Sequence, residues 1–187
     1  MNLPVILNIL ALRLLFLMHP DISKGSEAEV VYPTPPVNEH SLFYIQRSNN
    51  TNAIVYEANI LNNGKINEIE PIKVFWIRYS EDSTTADLNY IQRKYAYGVN
   101  ANTYADQKNK FVVQFVSYSK KSIYLLPKTN GKYAAYTNIN GKLAELKKIW
   151  VELIGGTFWF PTIDYIEMVG KDPVSQQVVS ERFKPRR

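Results

Sequence analysis

An all-β fold, mainly antiparallel, is what this chain predicts: a sandwich or barrel of about eight strands with one short helix across one side. Three observations predict it. Short apolar segments separated by turn chemistry recur along residues 41–170, and Asn-Gly pairs stand at 63–64, 130–131 and 140–141. The 13 Tyr and 8 Phe also far outnumber the 8 Gly, which favours packing on pleated surfaces.

The chain begins with "NLPVILNILALRLLFLM", an apolar run broken by Arg13, followed by "HPDISKGSEAE" with small residues at Ser23 and Gly25, or at Ser26 and Ala28. Residues 1–28 therefore read as a secretory signal, although no Lys or Arg precedes Arg13. The competing reading is a buried or amphipathic N-terminal helix. A permanent span needs about 20 apolar residues, so no membrane-crossing segment is expected. "EVVYPTPPVNEH", residues 29–40, contains three prolines that forbid helix and should form an extended tether. Residues 41–185 then form a single antiparallel β domain, long enough to bury a core without disulfides.

Within it, "SLFYIQR" (41–47) and "NAIVYEANIL" (52–61) flank a polar turn and predict a first hairpin. "KVFWIRY" (73–79), "KFVVQFVSYS" (110–119), "SIYLL" (122–126), "KYAAYTN" (132–138), "LKKIWVELI" (146–154) and "TIDYIEMVG" (162–170) continue the series. The exception is "STTADLNYIQRKYAYG". Thr84 with Asp87 resembles a capping box, Leu88, Ile91 and Tyr95 recur at helical spacing, and Gly98 suits the helix end. This predicts a helix over about 86–97 with those three residues inward, followed by a mobile polar loop at 98–110. Several strands are apolar on both faces, Val74 and Trp76 alternating with Phe75 and Ile77, so the second face needs cover from a helix, a loop or a bound molecule.

Chemistry is constrained by what is missing. There is no cysteine, which excludes disulfides, thiolate metal sites and a Cys nucleophile. Of two histidines, His19 falls in the leader and His40 in the tether, leaving no material for a Ser-His-Asp site or a His-based metal centre. No phosphate-binding glycine loop occurs, and neither cofactor nor metal is expected. The formal charge of +5 is scattered rather than gathered into a basic stripe, so nucleic acid is not an expected partner. Carboxylates remain: Glu152 and Asp164, on neighbouring predicted strands, are the candidates for a glycosidase-type acid and base. In "GGTFWFP", Phe158, Trp159 and Phe160 sit between a Gly pair and a Pro, either as a plug over the core or as an aromatic lip for ligand. Arg78 and Tyr97 are the candidates to orient a polar group beside them.

"NAIVYEANI", "IKVFWIRY", "RKYAYGVNA", "YTNINGKLAELKKIWVEL" and "IDYIEMVGKDP", with Glu181 near the end, together resemble the bacterial domain-of-unknown-function family 4833, found mostly in exported proteins of Bacteroidota. The resemblance implies a secreted, periplasmic or envelope protein, and it brings no activity or catalytic residues. Three functions stay open: a non-catalytic exported protein binding a small molecule, glycan, lipid or envelope protein through its aromatic loop; a hydrolase acting on glycans or lipids; and a lipid-carrying barrel.

Overall fold

Alternating apolar residues build eleven strands and one short helix in a computed structural model that describes residues 30–157 and 161–185. The leader, the triplet Phe158, Trp159 and Phe160, and the last two residues lie outside the described residues. The strands are β1 (Ser41–Arg47), β2 (Asn50–Ala58), β3 (Ile72–Arg78), β4 (Thr84–Asp87), β5 (Val99–Tyr104), β6 (Gln107–Phe115), β7 (Tyr118–Pro127), β8 (Tyr133–Ile139), β9 (Lys142–Gly156), β10 (Pro161–Lys171) and β11 (Val178–Phe183). The helix, α1, is Tyr90–Tyr95. They form one mixed sheet, mostly antiparallel, that curls into a half-barrel.

The pivot is β9, at 15 residues the longest strand. Glu145 is opposite Tyr136 of β8 and also opposite Lys171 of β10, so β8 and β10 lie on opposite edges. Further along, Lys148–Val151 pair in parallel with β1 while still pairing with β10. One edge of β9 therefore serves β8 first and β1 afterwards. Two wings leave that edge, β1-β2-β3-β4 and β8-β7-β6-β5, and their inner faces meet. Between them Phe43 stacks on Tyr56 at 4.5 Å between ring centres, and Phe115 from the other wing meets both rings edge-on. Ile54, Val113, Ile123, Leu125 and Leu146 complete a core with almost no solvent contact.

Cover for the second face of β1 comes from the proline segment. The hydroxyl of Tyr32 donates to the Ser48 carbonyl, the Gln46 amide donates to the Pro33 carbonyl, and the Tyr32 ring packs edge-on against Trp150. Pro35 is buried. A polyproline-like strip with no N–H to satisfy at each Pro suits this position, since it covers apolar surface without joining the ladder.

The eight sequence-predicted strands correspond to β1, β2, β3, β6, β7, β8, β9 and β10. The structure adds β4, β5 and β11. The predicted helix at 86–97 is shorter and begins later, because Thr84 and Asp87 pair with Arg78 and Phe75 of β3 instead of capping a helix. The cap is Asn89, whose side chain accepts from the Gln92 N–H while the Gln92 side chain accepts from the Asn89 N–H. Leu88 is buried as expected, but Ile91 and Tyr95 face solvent. The stretch expected to be a mobile loop is β5 and the start of β6, joined through Ala105 and Asp106. Both have positive φ, a tight hairpin turn made without the glycine that would have announced it.

Where β9 changes partners, an acid is buried. Glu145 is 8% exposed and bonds Lys128 through both carboxylate oxygens at 2.9 Å, with Lys147 on Oε1. Burial pushes its carboxyl up, but hydrogen bonds and charge from Lys128 and Lys147 outweigh that and hold it below the ordinary value. A depressed folded value means the pair's stability is full above the unfolded glutamate value of roughly 4.3 and is lost as pH falls through the folded value. In Glu145→Gln the acid side of the stability–pH curve should flatten below about pH 4.3, with lower stability at pH 7, measured by urea unfolding across pH. An unchanged acid slope would remove Glu145 from that role. β10 passes close by: a Cβ on Gly170 would lie 2.7 Å from the Glu145 carbonyl oxygen and 2.8 Å from Ile139 Cδ1. Gly170→Ala should therefore cost about 1–3 kcal/mol in the same assay, against a near-neutral Val174→Ala on the surface.

Candidate functional site

The two wings do not close on each other. The wing edges are bridged by the connection from β4 through α1 to β5, and beside it opens a cleft of about 520 Å³. Its walls are Ile72 and Val74 of β3 on one side, and Val99, Ala101 and Val116 on the other. Arg93 and Lys94 of α1 also line it, with Glu70 and Asn100. The volume falls in the range of small-molecule clefts, roughly 300–1,000 Å³.

Gly98 sets how closely the connection packs. A Cβ there would sit 1.8 Å from the Arg93 carbonyl oxygen, so no other residue fits without moving α1. Expected from sequence as a left-handed helix end, Gly98 is not among the glycines of positive φ and is instead required by this close approach. Its carbonyl accepts from the Val116 N–H of the neighbouring strand at 3.0 Å. Nearby, the Ser117 hydroxyl donates to the Ala96 carbonyl at 2.6 Å.

The cations at this mouth are held differently from each other. Arg93 pairs with Glu70 at 3.1 Å. Lys94 has no carboxylate among the described residues: it donates to the Tyr90 hydroxyl at 3.0 Å and lies 5.3 Å above the rings of Tyr90 and Tyr95. Hydrogen bonds with Tyr90 and then Tyr95 push its pKa up, so it is cationic at any physiological pH.

Further along the same connection lies Tyr97, one of the residues singled out from sequence. Its hydroxyl accepts from Arg47, its carbonyl accepts from the Tyr56 hydroxyl at 2.8 Å, and its ring meets Trp76 edge-on at 5.4 Å. The Arg47 guanidinium is 5.4 Å from the Trp76 ring centre and 5.5 Å from that of Tyr97. No carboxylate pairs with Arg47 among the described residues, and its Nε is buried without a partner. Trp76 in turn donates its indole N–H to Gln92 of α1 at 3.2 Å. Arg47, Trp76, Tyr97 and Gln92 thus lock the connection to the end of the core. Burial holds the Tyr97 hydroxyl above its ordinary value, and the charge and hydrogen bond of Arg47 offset only part of that rise.

Arg78, Glu152 and Asp164 lie elsewhere. Arg78 makes an exposed pair with Glu81 at 3.0 Å. Glu152 accepts from the Trp150 indole at 2.8 Å and from the Tyr165 hydroxyl at 3.4 Å, while Asp164 pairs with Lys184 at 3.7 Å, so the two acids share no partner. Phe158, Trp159 and Phe160 lie outside the described residues, although Gly156 and Pro161 on either side of them pair across β9 and β10. Sequence reasoning passed over Arg47, Arg93 and Lys94. Arg47 was findable, because Phe43, Ile45 and Arg47 alternate onto one face and place a cation inward. Arg93 and Lys94 carried no signal, since they depend on where the short helix starts.

Together these features define an all-β half-barrel whose open mouth is lined with apolar side chains and edged by cations. The family model described as Domain of unknown function (DUF4833) matches residues 43–182, and the chain belongs to that family. No curated protein and no solved structure matches the chain. No helix among the described residues is long and apolar enough to cross a membrane, and no group of three or more His, Asp or Glu is placed there to hold a metal.

Removing the Tyr97 hydroxyl leaves a half-buried guanidinium short of its acceptor. Tyr97→Phe should lower stability by about 1.5–3 kcal/mol, the range for a hydrogen bond to a charged group, read as a shift in the urea midpoint. A change below about 0.5 kcal/mol would mean the rings alone hold Arg47.

Proposed function

We propose that the protein is a non-catalytic exported protein of the cell envelope that binds a ligand or partner at the open mouth of its half-barrel. The observation that carries this reading is the cleft between the wings, with apolar walls continuous with the core and two cations on its lining. A cleft of this make-up suits a contact surface: apolar area supplies affinity and a few charges supply orientation. The acids of the β8 to β11 side are engaged, Glu145 with two lysines, Glu181 with Lys121 at 2.6 Å and Glu167 with Arg182 at 3.4 Å. Export rests on the apolar leader read from the sequence. The triplet Phe158–Phe160, as an aromatic lip, is the second contact surface this reading allows.

A protein keeping Trp76 alone, through Trp150→Phe and Trp159→Phe, reports on the mouth, because Trp76 contacts Tyr97 and Gln92. Its emission should shift during titration with an envelope-derived ligand drawn from glycans, lipid vesicles and peptides, and Val74→Trp or Lys94→Glu in the otherwise native chain should weaken binding at least tenfold. Response confined to a protein keeping Trp159 alone would move the contact to the lip. Turnover of any glycan or lipid, lost in Glu152→Gln or Asp164→Asn, would replace binding with hydrolysis.

A further inference from the structure

The ligand class follows from the backbone at the mouth, and this step rests on the binding reading above. β5 ends the β8 wing, and among the described residues no strand pairs with its outer edge. Its register with β6 runs Val99 opposite Phe115, Ala101 opposite Val113 and Thr103 opposite Phe111. The Val116 N–H bonds the Gly98 carbonyl, which makes Gly98 and Val116 a hydrogen-bonded pair. Pairs alternate along an antiparallel ladder, so Asn100 and Asn102 direct their N–H and C=O into β6, while Val99, Ala101 and Thr103 direct theirs outward. Val99 and Ala101 are walls of the cleft.

The edge is also undefended. Sheet edges in soluble proteins are blunted by charges, prolines, bulges or shortness. β4, at the far end of the strand order, has four residues and carries Asp87, and β11 carries Glu181 and Arg182. β5 reads Val-Asn-Ala-Asn-Thr-Tyr, with neither charge nor proline, and its ladder is regular until the register shift after Thr103.

We propose that β5 is a strand-addition site that takes an extended segment of a partner polypeptide, with alternate apolar side chains in the cleft and an acidic residue against Lys94. Free donors and acceptors on one strand edge select an extended backbone; the adjoining apolar cleft selects every second side chain. Lys94, held by tyrosine rings and not by an acid, supplies the charge complement. A second copy of β5 fits less well, because its sequence brings no acid to Lys94.

The test uses the full chain and pooled hexapeptides alternating valine or isoleucine with threonine, carrying glutamate at one end. Expected is saturable binding with new amide-exchange protection at Val99, Ala101 and Thr103 and little change at Asn100 and Asn102, which are already bonded. N-methylation of alternate peptide amides should weaken binding at least tenfold. Lysine in place of the glutamate should do the same. Ala101→Pro removes an outward N–H and no ladder bond, so it should abolish binding with the circular dichroism spectrum retained, and Lys94→Glu serves if that variant fails to fold. Protection without alternation, or tolerance of N-methylation, overturns strand addition. A mouth that responds to glycans or vesicles through Trp76 but to no hexapeptide overturns it while leaving the binding reading in place; a mouth that responds to none of the three overturns both. Self-association through β5, seen by sedimentation and lost in Ala101→Pro, would assign the edge to a second copy instead.

Discussion

The rest of the structure depends on one edge of β9 being shared by two strands. Backbone hydrogen bonding leaves a strand two edges, and β10 occupies one of them along nearly the whole length. β8 and β1 must then follow each other on the second edge, one antiparallel and one parallel. A flat sheet would place their wings side by side with both inner faces in water. Folding one wing over the other removes that apolar surface, at roughly 25 cal/mol per Å² buried. Glu145 and its two lysines sit at the exchange point. A buried ion pair adds little net stability, but removing one partner is costly, so such a cluster is better suited to fixing register than to strengthening the core.

Folding over does not close the barrel. Curling brings the edge of β5 toward Ile72 and Val74, the part of β3 that β4 leaves unpaired, but the chain between them runs through β4, α1 and Gly98 and fills only part of the gap. Packing is decided here by a contact of atomic size, the Gly98 methylene against the Arg93 carbonyl, and by Arg47 held between two rings. The connection is therefore a fixed strut, which leaves the cleft beside it as a formed feature of the fold.

Where a local rule acts, the chain was legible. Asn140 and Gly141 both have positive φ and turn β8 into β9, as an Asn-Gly pair requires. Three strands were not legible, for separate reasons. β5 hides behind polar residues, since only Val99 and Ala101 of its inner face are apolar. β4 looks like the start of a helix until Phe75 and Arg78 claim it, a case of tertiary pairing overriding local propensity. β11 alternates half-buried and exposed residues with charges on both faces, leaving only weak periodicity. Tyr97 was expected to orient a polar group beside Phe158, Trp159 and Phe160, which lie outside the described residues; the partner it has, Arg47, required knowing that β1 runs inward to its last residue. The carboxylates Glu152 and Asp164 share two neighbouring strands, yet the register shift between Ile163 and Tyr165 breaks the simple cross-strand pairing that would have set them together.

The cations of the molecule are not all held in the same way. On the side of β8 to β11, acids and bases answer each other: Glu145 with Lys128 and Lys147, Glu181 with Lys121, Glu167 with Arg182, Asp164 with Lys184. At the mouth Arg93 is likewise paired with Glu70, whereas Lys94 there, and Arg47 at the end of the core, are answered by ring faces and tyrosine hydroxyls. An aromatic face stabilises a cation by about 0.5–1 kcal/mol where water has access, without neutralising it. Lys94 thus keeps nearly all of its attraction for an anion, because no carboxylate must be displaced first. Arg47 is half-buried with its Nε enclosed, and it holds Tyr97. The two cations share a chemistry of confinement by rings, yet Lys94 is the exposed one, and it lies beside β5, an edge strand that carries no charge of its own.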